Sequence, residues 1–400
     1  MARESLWARL RDSAARELQD IAFSAPQVAQ KHLYRRLLLL PLLQAVSSVV
    51  ATAAATRTRL YQAGMWTQMR LPVPVISVGN LTWGGNGKTP MVDLLARRCW
   101  EQHGLVPLVL SRGYHGADEA RMLAHRLADT PAVIAAGPDR ASLAAQMLSA
   151  HADIGAVLLD DGMQHLRVAR DLEVCMVNCV SGFGNGHTLP RGPLREPPSS
   201  LRRADVVVLH HASSQPGGVA SAAASALVAE HLGPGTPVLR SDMVPHALVR
   251  LRPVGMGRCS GGAGDPGTTS HGLAAIQQEL RGAHLLCLAG IGCPQALEQQ
   301  LAAMGAAAVA GTGLLADHQR CSEEVLDGAC VHVAKLISEG SKGAVLITQK
   351  DYARQPDDFH SLAACVPVYV LESAMEVSEM EVLDEAIKRI AKQCARAPKE

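Results

Sequence analysis

Aromatic residues are scarce in this chain, 3% of 400, which removes the stacking platforms that single-stranded nucleic acid binders rely on. An excess of one charge is also missing, because 38 Lys and Arg oppose 37 Asp and Glu. No global field draws the protein to nucleic acid, so any anion site must be local. The ten cysteines include no Cys-x-x-Cys pair. That argues against structural zinc or thioredoxin-type chemistry and reads instead as reduced, mostly buried thiols. What the chain does have is apolar mass, 48% hydrophobic residues over a length that suits two compact domains.

From Leu37 to Thr56 there is no charged residue, while Lys31, Arg35 and Arg36 precede the run and Arg57 and Arg59 follow it. About twenty residues is the helix length that crosses a hydrocarbon core. Gln44, Ser47, Ser48 and Thr52 dilute the run, and Pro41 is expected to bend it. The basic flanks suit anionic headgroups whether the segment spans a bilayer or is anchored in one leaflet. An ordinary buried helix is the alternative; the expectation is membrane attachment over residues 31–66. Residues 1–30 are a candidate targeting segment, although Glu4, Asp12, Glu17 and Asp20 depart from an acid-poor transit peptide.

Further on, short apolar runs recur at Val73–Val78, Val106–Leu110, Ala132–Ala136, Ala156–Leu159, Leu172–Val177 and Val206–Leu209, separated by helix-compatible stretches such as Met91–His103 and Arg140–His151. This alternation predicts an α/β fold, a parallel sheet flanked by helices, with active residues at the carboxyl ends of its strands. A first lobe is expected over 67–250 and a Gly/Ser-rich flexible loop or insertion over 251–282. A smaller α/β lobe over 283–400 follows, with strands at Ala283–Leu288, Ala344–Thr348 and Val368–Leu371 and a helix at Gln295–Met304.

The first apolar run leads into Gly84-Gly85-Asn86-Gly87-Lys88-Thr89. Glycines let backbone N–H groups converge on an anion, a lysine adds a mobile positive charge, and a threonine hydroxyl can complete a Mg²⁺ shell. The P-loop pattern asks for glycine five residues before Gly87, where this chain has Thr82. A nucleotide is the expected ligand. Asp160 and Asp161 end another apolar run, where a P-loop enzyme holds Mg²⁺ directly or through water. Adjacent strand positions face opposite ways, so the two carboxylates are expected to differ in role. Arg112 ends a third run and is a candidate phosphate contact, with a plain surface arginine as the alternative. Gly184–Pro197 is a proline-punctuated loop that presents His187, Arg191, Arg195 and Glu196, and Ile347–Asp351 closes a strand of the second lobe with Lys350. His210-His211 lack ligand spacing and read as structural.

The ordered set Ser77–Pro90, Ser111-Arg-Gly-Tyr, Asp160-Asp-Gly-Met-Gln-His, Leu189-Pro-Arg-Gly-Pro-Leu-Arg-Glu-Pro, Ala316-Asp-His and Thr348-Gln-Lys-Asp resembles the lipid A 4′-kinase family (tetraacyldisaccharide 4′-kinase) from about Leu37 to Arg354. The resemblance implies a membrane-associated P-loop fold that transfers the ATP γ-phosphate to the 4′-hydroxyl of an acylated glucosamine disaccharide 1-phosphate. It implies Lys88 as the phosphate-binding lysine and Thr89 as a Mg²⁺ ligand. Acidic residues Asp160, Asp161 and Glu196 fall around Mg²⁺, and His165 and Arg195 line the same site. His318, beside Asp317, matches a histidine that works with a catalytic aspartate. Where bacterial members read Gly-Asp-Glu-Pro, this chain has Gly137-Pro138-Asp139-Arg140. Either Asp139 supplies the carboxylate through a shifted turn, or His318 and Asp161 carry more of the work. The implied partners are ATP, Mg²⁺, the lipid acceptor and membrane lipids, with no nucleic acid and no protein partner. The implied location is a mitochondrial inner membrane in a eukaryote or the cytoplasmic face of the inner membrane in a bacterium. A catalytically impaired homologue and a membrane-bound P-loop switch are the rival readings; Trp83, where such switches carry a second lysine, counts against the latter.

Overall fold

The computed structural model describes residues 39–113, 118–213, 219–252, 269–311, 315 and 319–396. It opens on helix α1 (Leu40–Gln62). Strands and helices then alternate through β1 (Val75–Asn80), α2 (Lys88–His103), β2 (Val106–Ser111), α3 (Asp118–Arg126), β3 (Val133–Ala136), α4 (Arg140–Ala150), β4 (Ile154–Asp160), β5 (Leu172–Asn178), β6 (Val206–His210) and α5 (Val219–Ala229). The second half contains β7 (Val238–Arg250), β8 (Thr269–His271), α6 (Leu273–Leu280), β9 (Ala283–Cys287), α7 (Pro294–Ala303), β10 (Ala308–Ala310) and α8 (Glu323–Ser338). It ends with β11 (Lys342–Thr348), α9 (Gln349–Arg354), α10 (Pro356–Leu362), β12 (Val368–Val377) and α11 (Met380–Arg396).

One sheet holds these strands in the order β10-β9-β11-β12-β7-β6-β5-β1-β4-β2-β3, with β8 added beside β7. Every pair is parallel except β7 with β12 and β7 with β8. Strands β1 and β5 are buried along their whole length, as continuous apolar runs covered on both faces must be.

The two parallel blocks meet through a long antiparallel ribbon whose register decides where the crevice lies. On its β7 side, strand β6 meets just the start of that strand, Val207 with Val238 through His210 with Ser241. On its β12 side, strand β11 meets just the start of that strand, Val345 with Val368 through Thr348 with Leu371, and Leu371 faces Leu248 near the far end of β7. Because β12 runs against β7, the carboxyl ends of both blocks point into the gap between these levels. Polar motifs from the two halves are therefore brought to one place.

Helix α1 departs from expectation in two ways. Pro41 lies in its first turn, where proline is tolerated, so it starts the helix rather than bending it. Among the described residues no helix is long and apolar enough to cross a membrane. Ser47 is buried: its hydroxyl donates to the Thr188 carbonyl at 2.7 Å, and the Thr188 hydroxyl donates back to the Ser47 carbonyl at 2.8 Å. One face of α1 is thus docked on the proline-punctuated loop, while Leu42 and Val49 on another remain 62% and 68% exposed. The segment expected as a loop over 251–282 contains β8 and α6 in its second half, and residues 253–268 lie outside the described residues. Asp317 and His318 also lie outside them.

Candidate active site

The turn from β1 into α2 is built as an anion cradle. Gly84 and Gly87 take φ of 97° and 73°, a left-handed region that glycine enters without strain, and Gly87 caps the amino end of α2. Thr82 replaces the glycine of the P-loop pattern without harm because it is buried in an isolated antiparallel bridge with Leu194. Neighbouring bonds from Arg195 N to the Leu81 carbonyl (2.7 Å) and from Trp83 N to the Pro193 carbonyl (3.0 Å) sew the cradle to the proline loop. Asn178 at the end of β5 donates to the Gly85 carbonyl at 3.0 Å.

Strand β4 lies beside β1, with Val78 opposite Asp160, so the acidic pair emerges next to the cradle. The Thr89 hydroxyl donates to Asp160 Oδ2 at 3.4 Å. Asp161 turns into the left-handed region at φ 52° and meets different partners: Lys88 Nζ at 3.7 Å and Arg195 Nη1 at 2.8 and 2.7 Å. Burial would raise the Asp161 carboxyl, but Lys88, Arg195 and Arg140 more than offset it, and the group sits below the usual carboxylate range. A buried arginine that the sequence reading passed over completes this end. Arg140 Nη1 donates to the carbonyls of Asp160 (2.6 Å) and Asp161 (3.2 Å), holding both aspartates in place. Its only sequence signal was the altered tetrapeptide Gly137–Arg140.

The family model for LpxK, tetraacyldisaccharide-1-P 4′-kinase, matches residues 39–392. The chain belongs to the tetraacyldisaccharide 4′-kinase family. A probable mitochondrial tetraacyldisaccharide 4′-kinase of Arabidopsis thaliana is 33% identical over 390 residues, 90% of this chain and 92% of that one. The tetraacyldisaccharide 4′-kinase of an Anaeromyxobacter strain is 36% identical over 336 residues, 79% of this chain and 82% of its own. The crystal structure of LpxK from Aquifex aeolicus in complex with ATP superposes with a TM-score of 0.58 at 23% identity, over 88% of this chain and 99% of that one, which establishes a common fold.

Arg112 is exposed in the turn after β2. Asp139 caps α4: its Oδ1 accepts from Ser142 N (3.3 Å) and lies 3.2 Å from Arg167 Nη1, and its Oδ2 accepts from the Ser142 hydroxyl (2.9 Å). These contacts hold its carboxyl below the usual value, the Ser142 hydrogen bond foremost. Glu196, expected beside Mg²⁺, is 1% exposed and gives one oxygen to Arg57 of α1 at 3.1 Å and the other to Arg203. Both oxygens are committed to arginines, so here the carboxylate ties α1 to the proline loop. Among the described residues no cluster of three or more His, Cys, Asp or Glu side chains is arranged as a metal cage. The Thr89 hydroxyl and Asp160 carboxylate form a hard-oxygen pair of the kind Mg²⁺ uses when phosphates and water fill its other positions.

Histidines near the site are held neutral. Burial pushes the His165 imidazole down to about 4, with Arg140 and Arg170 adding repulsion, and burial likewise lowers His211 to about 4. In each case the folded value lies below the unfolded 6.5, so the unfolded chain binds more protons and stability falls as pH drops from 6.5 towards 4. We expect each to contribute on the order of 1 kcal/mol of acid destabilisation by about pH 5, discounted for screening at His165, and the melting temperature to fall by several degrees. His211→Asn should flatten that fall, since asparagine accepts the left-handed backbone at φ 60°. An unchanged slope in a thermal-melt pH series would assign the effect elsewhere.

Proposed function

We propose that this protein transfers the γ-phosphoryl group of ATP to the 4′-hydroxyl of an acylated glucosamine disaccharide 1-phosphate, as its 4′-kinase relatives are named for doing. One observation supports this most directly: the glycine cradle, Lys88 and Thr89 face an acidic strand end whose two carboxylates have separate partners. Phosphoryl transfer needs alignment and charge neutralisation more than covalent chemistry by the protein. Backbone N–H groups of Gly84–Gly87 and the Lys88 ammonium hold the phosphates. Thr89 and Asp160 would hold Mg²⁺, which would supply neutralisation of phosphate charge. Asp161 keeps Lys88 and Arg195 aimed at the transferring group, and Arg140 keeps Asp161 in place. For the acceptor proton the resemblance points to an aspartate polarised by His318: either Asp139, which also caps α4, supplies that carboxylate through a shifted turn, or His318 and Asp161 carry more of the work.

The same reading assigns 67–250 as the nucleotide-binding lobe and 283–400 as the lobe that closes on it. It also assigns the exposed apolar side of α1, with Leu42, Val46 and Val49, to one leaflet of a membrane holding the lipid acceptor. That membrane is the mitochondrial inner membrane in a eukaryotic host and the bacterial inner membrane, cytoplasmic face, otherwise. The deciding assay incubates purified protein with ATP, Mg²⁺ and the disaccharide 1-phosphate in detergent micelles. Gain of one phosphoryl group by the acceptor, read by mass, is the expected result; an unchanged acceptor in the presence of bound ATP would favour the impaired-homologue reading.

Glu196 separates two roles. If it works through Arg57 and Arg203, Glu196→Gln lowers the melting temperature by an amount equivalent to about 3–5 kcal/mol, the range for breaking a buried pair. The Mg²⁺ concentration for half-maximal turnover then stays at the wild-type value. A shifted Mg²⁺ dependence with an unchanged melt would return Glu196 to the metal.

A further inference from the structure

The Thr348-Gln-Lys-Asp motif has no part in the chemistry above, yet its aspartate is among the most buried charged groups of the second block. Asp351 is 3% exposed. Its Oδ2 accepts from the Thr348 hydroxyl at 2.6 Å, its Oδ1 accepts from the backbone N–H of Gly290 at 2.9 Å, and Arg354 stands 3.5 Å away. Gly290 belongs to the loop between β9 and α7, at the carboxyl end of its block, where the two blocks face each other.

That loop reaches the phosphate cradle. A Cβ built on Gly85 would lie 2.6 Å from the Cα of Gly292 and 2.9 Å from its nitrogen, so the two backbones are in direct contact. The next residue, Cys293, lies beside Asn178, whose amide donates to the Gly85 carbonyl at 3.0 Å. The loop of the second block thus meets this glycine of the cradle directly at Gly292 and lies next to Asn178, which holds its carbonyl. Unlike Gly84 and Gly87, Gly85 has no positive φ, so its backbone would accept a side chain. Among the described residues, only the approach of Gly292 demands glycine there.

We propose that Asp351 is a positioning residue for the nucleotide: through the Gly290 N–H it sets the loop Ala289–Cys293, and that loop holds Gly85 in the conformation that receives the triphosphate. The inference rests on the reading of Gly84–Thr89 as the ATP cradle. It gives the motif a role by hydrogen bonding, where a base-reading motif would act by recognising the purine ring. The loop is then the second block's own contribution to the nucleotide site, and the fit of the two blocks is felt at the phosphates.

The contact can be broken from both sides. Gly85→Ala places a methyl against the Gly292 backbone, and Asp351→Ala releases Gly290. Each should weaken ATP binding by the full-length protein, measured by titration calorimetry, by about tenfold, and the Gly85→Ala/Asp351→Ala pair should be no weaker than the worse single variant, the mark of one shared contact. Asp351→Asn should restore affinity, because its amide oxygen still accepts from Gly290 and the Thr348 hydroxyl can rotate to accept from its NH₂. Wild-type affinity in Gly85→Ala, losses that add in the double variant, or no rescue by Asp351→Asn would each overturn the proposal. Gly85→Ala leaves the second block's core untouched, so it remains decisive where Asp351→Ala does not fold. A Lys88→Ala control that binds ATP like wild type would instead overturn the cradle reading itself.

Discussion

Lys88→Ala should lower kcat/KM for 4′-phosphoryl transfer by about 10³-fold while leaving the fold in place, the scale expected when a preorganised charge is removed from a transferring phosphoryl group. Lys88 is the first residue of α2, directly after the left-handed cap Gly87, so its backbone N–H belongs to the cradle and its side chain leaves from the same point. Its ammonium stands 3.7 Å from Asp161 and is largely buried. Removing it does not strand that carboxylate, because Arg195 still contacts Asp161 through both oxygens. The melting temperature should therefore shift by no more than a few degrees, and the loss should appear in turnover. Lys88→Arg is not a safe conservative control, since a planar fork replaces a compact point charge in a confined turn. Steady-state transfer to the lipid acceptor, run beside a thermal melt, is the measurement. A folded variant retaining a tenth of wild-type kcat/KM would remove Lys88 from the transition state.

The parts of this fold that were readable in the sequence share one physical cause. Strands β1, β2, β4, β5 and β6 are covered on both faces, so each is a continuous apolar run, and their ends fell within a few residues of expectation. Strand β7 escaped because it is a bridge rather than a core strand: Arg240, Asp242, Pro245 and His246 interrupt it, and its pairing with β12 shifts register opposite Glu372 and Ser373. Proline and an irregularity are tolerated in such a ribbon, and they erase the alternation that marks a strand. Helix α11 was legible but unread, since Leu383, Ala386, Ile387 and Ile390 recur at helical spacing and are buried.

Within the site, the cradle and the acidic pair were legible because each is a local motif at a strand end. Their association needed only the rule that parallel strands gather their carboxyl ends. Glu196 shows where local reading stops: its partner Arg57 lies 139 residues away, and no spacing rule announces that contact. The same holds for Gly292 against Gly85, which depends on the offset between the two blocks along β7 and β12. Charge and motif identify what a residue can do; the register of the ribbon decides what it meets.

Asp161→Asn and Asp161→Ala should part ways, and their difference tests whether this residue serves the chemistry or only the turn. At φ 52° the backbone is left-handed, a conformation that asparagine shares with aspartate and that costs alanine about 1–2 kcal/mol. Asparagine also keeps an oxygen for Arg195. We therefore expect Asp161→Asn to melt within a few degrees of wild type yet lose about 10²-fold in kcat, because Lys88 and Arg195 lose the negative charge that orients them. Asp161→Ala should lose at least as much turnover and melt lower, having given up the turn as well. Acid offers a further check. The folded value of this carboxyl lies below 3.8, so its contribution to stability is present above the unfolded value and is lost only as pH falls through the lower folded one. Asp161 thus stays ionised at about pH 5, and any acid limb of the wild-type rate between neutrality and that point belongs to other groups. It should persist in the residual activity of Asp161→Asn. A near-wild-type kcat in the asparagine variant would reduce Asp161 to a backbone role and leave the Lys88 ammonium to be aimed by the cradle alone.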